Sequence, residues 1–288
     1  MIEMRQRTVQ CLSPAGFHDM AYVDWGDAAN PRVLLCAHGL TRCGRDFDFL
    51  AQALAADYRV VCPDVVGRGR SSWLKDKALY DIPQYAADMV TLLARLDVAG
   101  VDWLGTSMGG LIGMALAAQE GTPIRRLLLN DVGPVITAAS IARIGEYLGK
   151  APRFASIEQA ELFVRFVAAP FGKLDDAQWR HLTEHVVKTA ADGAIEFSYD
   201  PGIAEPFRRA QAAGEGKDIE LWPLYDAIRC PTLALRGAQS DLLKPETHAA
   251  MAARGPRAQL VSIPGVGHAP MFLEESQVAL VRDFLMQG

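Results

Sequence analysis

The run Gly105-Thr106-Ser107-Met108-Gly109-Gly110 places a serine between an apolar stretch, Val101-Asp102-Trp103-Leu104, and a helical pattern that starts at Met108. The same letters also occur in plain glycine-rich turns. The strand before and the helix after make this one a G-x-S-x-G nucleophile elbow. A sharp strand-to-helix turn lifts the Ser107 hydroxyl off the sheet. Small residues at 105 and 109 let the turn close, and the first helical amides, that of Met108 included, point their positive end at the nucleophile. A serine hydroxyl is a weak nucleophile and needs a base. Of six histidines, His268 is preferred because it lies in the loop Pro264-Gly265-Val266-Gly267-His268-Ala269-Pro270, after the last apolar run. His248 lies mid-helix and His18 beside an N-terminal strand. The base in turn needs a carboxylate to hold its tautomer. Asp241, in Arg236-Gly237-Ala238-Gln239-Ser240-Asp241, is preferred because it completes the chain order Ser, Asp, His. Asp131, just after the run that ends at Leu129, is the rival. His38-Gly39-Leu40 follows another apolar run. There the histidine reads as a structural anchor rather than a second base, and the Leu40 N–H would pair with that of Met108 as an oxyanion hole.

These groups are far apart in the chain, so ordered elements must bring them together. Short apolar runs bounded by Gly or Pro recur at Arg32–Ala37, Tyr58–Cys62, Val101–Leu104, Arg126–Leu129, Thr232–Leu235 and Gln259–Ile263. That pattern suits strands covered on both faces. Amphipathic helical patterns lie between them at Phe47–Ala55, Tyr85–Leu96, Met108–Ala118, Glu246–Ala253 and Ser276–Met286. The alternation predicts an α/β fold with a mostly parallel sheet. Arg7–Leu12 and Met20–Trp25 would add antiparallel edge strands. From Gly133 to about Arg229 the alternation breaks. This stretch reads as helical only, with candidates at Ile141–Leu148, Ile157–Ala168, Asp176–Ala190 and Ala204–Ala213. The expected organisation is a core at 1–133, a helical cap at 134–229 and the rest of the core at 230–288. Inserted helices over strand ends commonly act as a lid.

His38-Gly39, Pro63-Asp64 with Gly67-Arg68-Gly69-Arg70-Ser71, Gly105 to Gly110, Asp241 and Gly267-His268 together resemble the α/β-hydrolase superfamily. The resemblance covers nearly the whole chain and is least specific in the cap. It implies the α/β-hydrolase fold, a Ser107–Asp241–His268 triad and an acyl-enzyme. The pattern is similar to capped esterases, enol-lactonases and carbon–carbon bond hydrolases of ring-cleavage products. Haloalkane dehalogenases and epoxide hydrolases carry Asp at the elbow, so Ser107 speaks against both. The expected reaction is hydrolysis of an ester or related acyl bond in a small molecule, with no metal or organic cofactor. Carbon–carbon cleavage or lactone opening is the alternative within enzymes, and a non-catalytic ligand-binding protein the alternative outside them. Candidate substrate contacts are Arg42, whose planar fork suits a carboxylate but which has Asp46 and Asp48 close by, and two cap aromatics, Phe166 and Trp222.

Composition narrows the field further. The 288 residues carry 29 Lys+Arg against 34 Asp+Glu, a net charge of −5, which argues against a nucleic-acid partner. No apolar run is long enough for a membrane helix, and the polar start MIEMRQRTVQCLSP lacks a secretory apolar segment. Five cysteines without a CxxC pair fit reduced thiols in the cytoplasm. His181-Leu182-Thr183-Glu184-His185 matches HxxEH, but no further acidic ligand stands out, so it reads as a solvated helix face. Gly67–Ser71 lacks the ending of a phosphate loop and reads as a turn. Gly214-Glu215-Gly216-Lys217-Asp218 reads as a charged surface turn.

Overall fold

The structure, a computed structural model, describes residues 3–212 and 216–287. Ala213, the end of one expected helix, and Gly214 and Glu215 of the expected turn lie outside the described residues. In chain order the strands are β1 (Met4–Ser13), β2 (Gly16–Trp25), β3 (Val33–Ala37), β4 (Arg59–Pro63), β5 (Val101–Thr106), β6 (Ile124–Asn130), β7 (Val135–Ile136), β8 (Arg153–Phe154), β9 (Val187–Thr189), β10 (Ile195–Phe197), β11 (Ile219–Glu220), β12 (Thr232–Gly237) and β13 (Gln259–Ile263). Eight of them form one sheet in the order β1-β2-β4-β3-β5-β6-β12-β13. The hairpin β1–β2 joins β4 antiparallel, and every pairing from β4 to β13 is parallel.

The apolar runs become strands because both faces of the sheet are covered. On β3, Val33, Leu35 and Ala37 pack with Trp103, Leu127, Leu129, Met89 and Ile112. Leu34 and Cys36 point the other way, against Leu50, Leu54, Val281 and Phe284. The helices Ile82–Leu96 and Met108–Ala117 thus lie on one face, and Asp48–Leu54 and Glu275–Met286 on the other. The helix read at Tyr85 begins a turn earlier. Asp81 accepts the Gln84 N–H, Pro83 occupies the first turn, and Asp97 ends the helix in a left-handed conformation, all ordinary boundary devices.

The segment between β6 and β12 is not purely helical. The helices Ala138–Tyr147, Ile157–Val167, Asp176–Glu184 and Glu205–Ala212 are present. So are a three-stranded sheet, β8-β10-β9, and a two-stranded one, β11-β7. The helix expected to run to Ala190 stops at Glu184. Past it, the β-branched residues Val187 and Thr189 pair with Ile195–Phe197 across a turn at Gly193. A helical window had hidden that hairpin. Strands β7 and β11 pair with each other, joining the two stalks of this cap. The helix Trp222–Ala227, assigned to the cap by sequence, packs on the core: Tyr225 is fully buried and its hydroxyl donates to the Met251 carbonyl at 2.8 Å. A separate apolar cluster of Val164, Ala168, Trp179, Leu182 and Val186 holds the cap and reaches Cys43 and Met271 in the core. Among the described residues no helix is long and apolar enough to cross a membrane.

Close packing at the start of the helix Met108–Ala117 leaves no room for side chains. A Cβ at Gly109 would stand 2.0 Å from the Ala37 carbonyl oxygen. Gly109→Ala should therefore lower stability by about 1–3 kcal/mol, the ordinary cost of overpacking. Gly145 sits in a helix with open space around its Cβ position and no positive φ, so Gly145→Ala should raise stability by about 0.5–1 kcal/mol. Urea unfolding of both variants checks the pair, and equal effects of one sign would contradict this packing.

Candidate active site

The carboxyl ends of the parallel strands supply the polar groups. Chain order reverses around β3 and β5, the kind of place where open α/β sheets bind ligands. Ser107 follows β5 with φ 52° and ψ −116°, a conformation that L-residues rarely adopt and that costs of order 1–3 kcal/mol. Neighbouring packing holds it there. The Ser107 N–H donates to the Asn130 carbonyl at 3.0 Å, and a Cβ at Gly105 would overlap the Gly109 carbonyl at 2.3 Å. The Trp103 indole N–H donates to that same Gly109 carbonyl at 3.0 Å.

His268 lies in the loop after β13. Its Nε2 is 3.1 Å from Ser107 Oγ, and its Nδ1 is 2.6 Å from Asp131 Oδ2. The loop is tied at several points: Gln239 N–H to the Val266 carbonyl at 2.9 Å, Gly267 N–H to the Pro170 carbonyl at 2.6 Å, and the Asn130 side-chain amide to the Pro270 carbonyl at 2.8 Å. Asp131 is fully buried directly after β6. Besides His268 it accepts the Gly237 N–H at 2.9 Å and the Ser240 hydroxyl at 2.5 Å. Three donors compensate a carboxylate that has lost its water.

The carboxylate that meets His268 is Asp131, not the preferred Asp241. Asp241 is exposed and pairs with Arg143 at 3.0 Å, with 53% of its side-chain surface open. The loop after β12 turns Ser240, not Asp241, toward the Asp131 carboxylate. Arg236 shapes that loop by donating to the carbonyls of Leu243, Ala238 and Ser240. Chain order alone does not separate the two carboxylates. The signal in the sequence was Asp131's place at the first position past the strand next to the elbow strand.

His38 is buried with both ring nitrogens engaged. Its Nδ1 lies 2.7 Å from the Gly39 carbonyl, and its Nε2 accepts the Val65 N–H at 2.9 Å. Burial pushes its pKa down to about 3, so it stays neutral and anchors the turn. That turn brings Gly39 beside the elbow, since a Cβ there would lie 3.8 Å from the Ser107 Cβ. Leu40, Ser107, Met108 and His268 all line one cavity of about 1730 Å³. The Met108 amide, first of its helix, has no intrahelical partner.

Core and cap together enclose this cavity. Its walls include Tyr85, Ile141, Ile144, Phe163, Phe197 and Phe207. Phe166 stands at its mouth, 80% exposed. Trp222 is elsewhere: it packs on Tyr225 with Arg254 4.2 Å over its ring, which corrects its candidate role. Arg42 reaches the wall, but its fork is closed on Asp46 at 2.8 and 2.6 Å, so its charge is already neutralised.

Two groups of side chains bring three metal-ligating atoms within 4.8 Å of one another: Cys11–His18–Asp88, and Asp48 with the HxxEH histidines His181 and His185. Neither group includes a triad residue. In the first, burial pushes the Cys11 thiol up to about 12, away from the thiolate that metals prefer. In the second, Arg45 already pairs with Asp48 at 2.6 Å. His181 also reaches the Arg45 carbonyl at 3.1 Å and Asp48 at 3.3 Å. The HxxEH segment is thus a latch between cap and core rather than a solvated face.

The chain matches the model of the alpha/beta hydrolase fold family over residues 32–275 and belongs to that family. It is an enzyme of the hydrolase class. It is 54% identical over 284 residues, 96% of either chain, to a protein of Cupriavidus necator named 3-hydroxybutyrate-oligomer hydrolase. Among solved structures, a putative hydrolase from Rickettsia typhi superposes with a TM-score of 0.90 at 30% identity, over 99% of each chain. An alpha/beta hydrolase from Novosphingobium aromaticivorans gives 0.84 at 36%, again over 99% of each.

The latch makes a pH-dependent contribution to stability. Burial pulls the His181 imidazole down, but the Asp48 carboxylate and the Arg45 carbonyl outweigh it and raise its pKa above the ordinary value. Burial pushes the pKa of His185, beside it, below the ordinary value. The His181 contribution is full below about pH 6.5 and is lost as pH rises through the raised value. His181→Gln should lower Tm most at about pH 5.5, with a deficit that shrinks toward about pH 8.5. Thermal denaturation across that range checks it, and a deficit that grows with pH would contradict it.

Proposed function

We propose that the protein is a serine hydrolase that cleaves ester bonds of short 3-hydroxybutyrate oligomers or closely similar hydroxyacid esters through an acyl-enzyme. The carrying observation is the relay from Ser107 Oγ through both nitrogens of His268 to Asp131, at 3.1 and 2.6 Å. His268 takes the Ser107 proton as the serine oxygen attacks the ester carbonyl. The carbonyl oxygen becomes an oxyanion and is held by the amides of Leu40 and Met108. His268 then protonates the departing alkoxide, which leaves as a hydroxyacid. A water, deprotonated by the same imidazole, attacks the acyl-enzyme and frees Ser107. Asp131 holds the imidazole in its working tautomer and stabilises the imidazolium.

The substrate class rests on the Cupriavidus necator relative, aligned along almost its whole length, and on the cavity. Its volume of about 1730 Å³ exceeds the roughly 300–1000 Å³ of common small-molecule sites. Its apolar walls suit a chain of methyl-bearing ester units. Residues 134–229, closed at their base by the β7–β11 pair, act as the cap over this chain. We assign the protein to the cytoplasm on the strength of its free thiols at Cys11, Cys36, Cys43, Cys62 and Cys230.

Ser107→Ala should lower kcat on 3-hydroxybutyrate dimer and trimer by about 10⁴-fold or more while leaving the unfolding curve in place. Asp131→Asn should lower kcat by about 10³–10⁴-fold, through loss of the tautomer. Asp241→Asn should stay within about fivefold of the unmodified enzyme, as for an exposed ion pair. Release of 3-hydroxybutyrate measured beside an aryl ester, an enol-lactone and a vinylogous diketone reads all three variants. Full activity of Ser107→Ala would end the mechanism. A larger loss at Asp241 than at Asp131 would reverse the acid assignment, and turnover confined to the diketone would replace the substrate class.

A further inference from the structure

The turn after β4, Gly67-Arg68-Gly69-Arg70-Ser71, lies behind the cavity rather than in it. Arg68 is completely buried, which is rare for an arginine without a carboxylate partner. Among the described residues every hydrogen-bond partner of its guanidinium is neutral. Nε donates to the Leu40 carbonyl at 2.8 Å. Nη1 donates to the Val66 carbonyl at 2.8 Å and to the Tyr85 hydroxyl at 2.9 Å, and Nη2 approaches Met108 Sδ at 3.6 Å. The rings of Tyr80 and Tyr85 lie 5.6 and 5.0 Å from its central carbon. Carbonyl dipoles and aromatic faces soften the burial of a cation, but they do not neutralise it.

Carboxylates lie in the surroundings, but among the described residues none bonds to the guanidinium. Asp64, in the same turn, accepts the Gly44 and Arg70 N–H groups at 2.8 and 2.9 Å. Asp46 is held by Arg42. Asp200 meets Lys77 and the Tyr80 hydroxyl. His38, between Arg68 and Arg42, is neutral, and after burial those two cations help to keep it so. The guanidinium thus touches both residues whose amides would face the reacting carbonyl, Leu40 and Met108, and among the described residues no carboxylate pairs with it directly. The Ser107 reaction creates one negative charge on the substrate, at the oxyanion.

We propose that Arg68 is a positioning residue for the oxyanion hole: its bond to the Leu40 carbonyl fixes the Leu40 backbone, and its charge, unpaired by any direct carboxylate contact and set behind Leu40 and Met108, favours the tetrahedral oxyanion over the planar ester. It never touches substrate. A fixed charge in a dry site counts where charge develops, so the effect falls on kcat and leaves ground-state binding alone.

This inference rests on the Ser107 reading. A fluorophosphonate that fails to label the unmodified enzyme at Ser107 would sink that reading first. With labelling intact, the same probe counts competent sites in Arg68→Met and Arg68→Lys. Per labelled site, Arg68→Met should lose about 10²-fold in kcat with KM within about threefold. Its affinity for a trifluoromethyl ketone, which becomes a tetrahedral oxyanion on Ser107, should fall by a similar factor. Affinity for the matching methyl ketone should not change. Arg68→Lys keeps the charge without the fork and should lie between. If Arg68→Met does not fold, Arg68→Lys carries the test, with a drop of at least about tenfold in kcat expected. A merely structural role lowers the number of labelled sites and Tm but leaves kcat per site unchanged, and that result overturns the proposal. So does an equal loss of affinity for both ketones.

Discussion

The helix that starts at Met108 packs against β3 and β5 so closely that backbone touches backbone. Gly105 and Gly109 have no space for a methyl group, the nearest atoms being main-chain atoms of the facing element. This contact makes the turn at Ser107 sharp, forces its positive φ and aims its hydroxyl away from the sheet. Gly39, in the turn after β3, lies beside the same serine. Every later requirement of the site is met by loops that converge on that point from β3, β6, β12 and β13.

Electrostatics sorts the polar groups around an otherwise apolar chamber. His38 is held neutral, Arg42 is closed on Asp46, and Asp131 is satisfied by three donors. Other charged residues on the cavity wall include Asp81, Glu146, Lys150 and the Arg143–Asp241 pair. His268 links Ser107 to Asp131, and the buried guanidinium of Arg68 contacts Leu40 and Met108.

The segment between β6 and β12 meets the rest of the chain through apolar clusters, which include Leu148, Tyr199 and Ile203 on one side and Trp179 and Met271 on the other, and through several polar seams. The Gly267 N–H reaches Pro170, Asp200 meets Lys77 and Tyr80, and His181 meets Asp48 and Arg45. Polar contacts of this kind fix a register while exposing little apolar area if they open. The paired stalks β7 and β11 join the two ends of this segment.

Local chemistry settled much from sequence alone. Apolar runs bounded by glycine and proline marked the six parallel strands, and small residues around Ser107 marked the elbow. His268 stood out because a loop at a strand end is where a base can reach the serine. These features depend on neighbours in the chain, so the sequence displays them directly. The choice between Asp131 and Asp241 does not depend on neighbours. It turns on which loop bends inward, and that follows from Arg236 gripping three carbonyls after β12 and from the side-by-side placement of β6 and β12. The hairpin Val187–Phe197 escaped for a similar reason, because its strands gain their hydrogen bonds only from each other and from β8. The buried cation at Arg68 looked like a turn residue until the cap and two tyrosines closed over it. Burial and pairing are properties of the assembled chain, and the tertiary structure alone decided them.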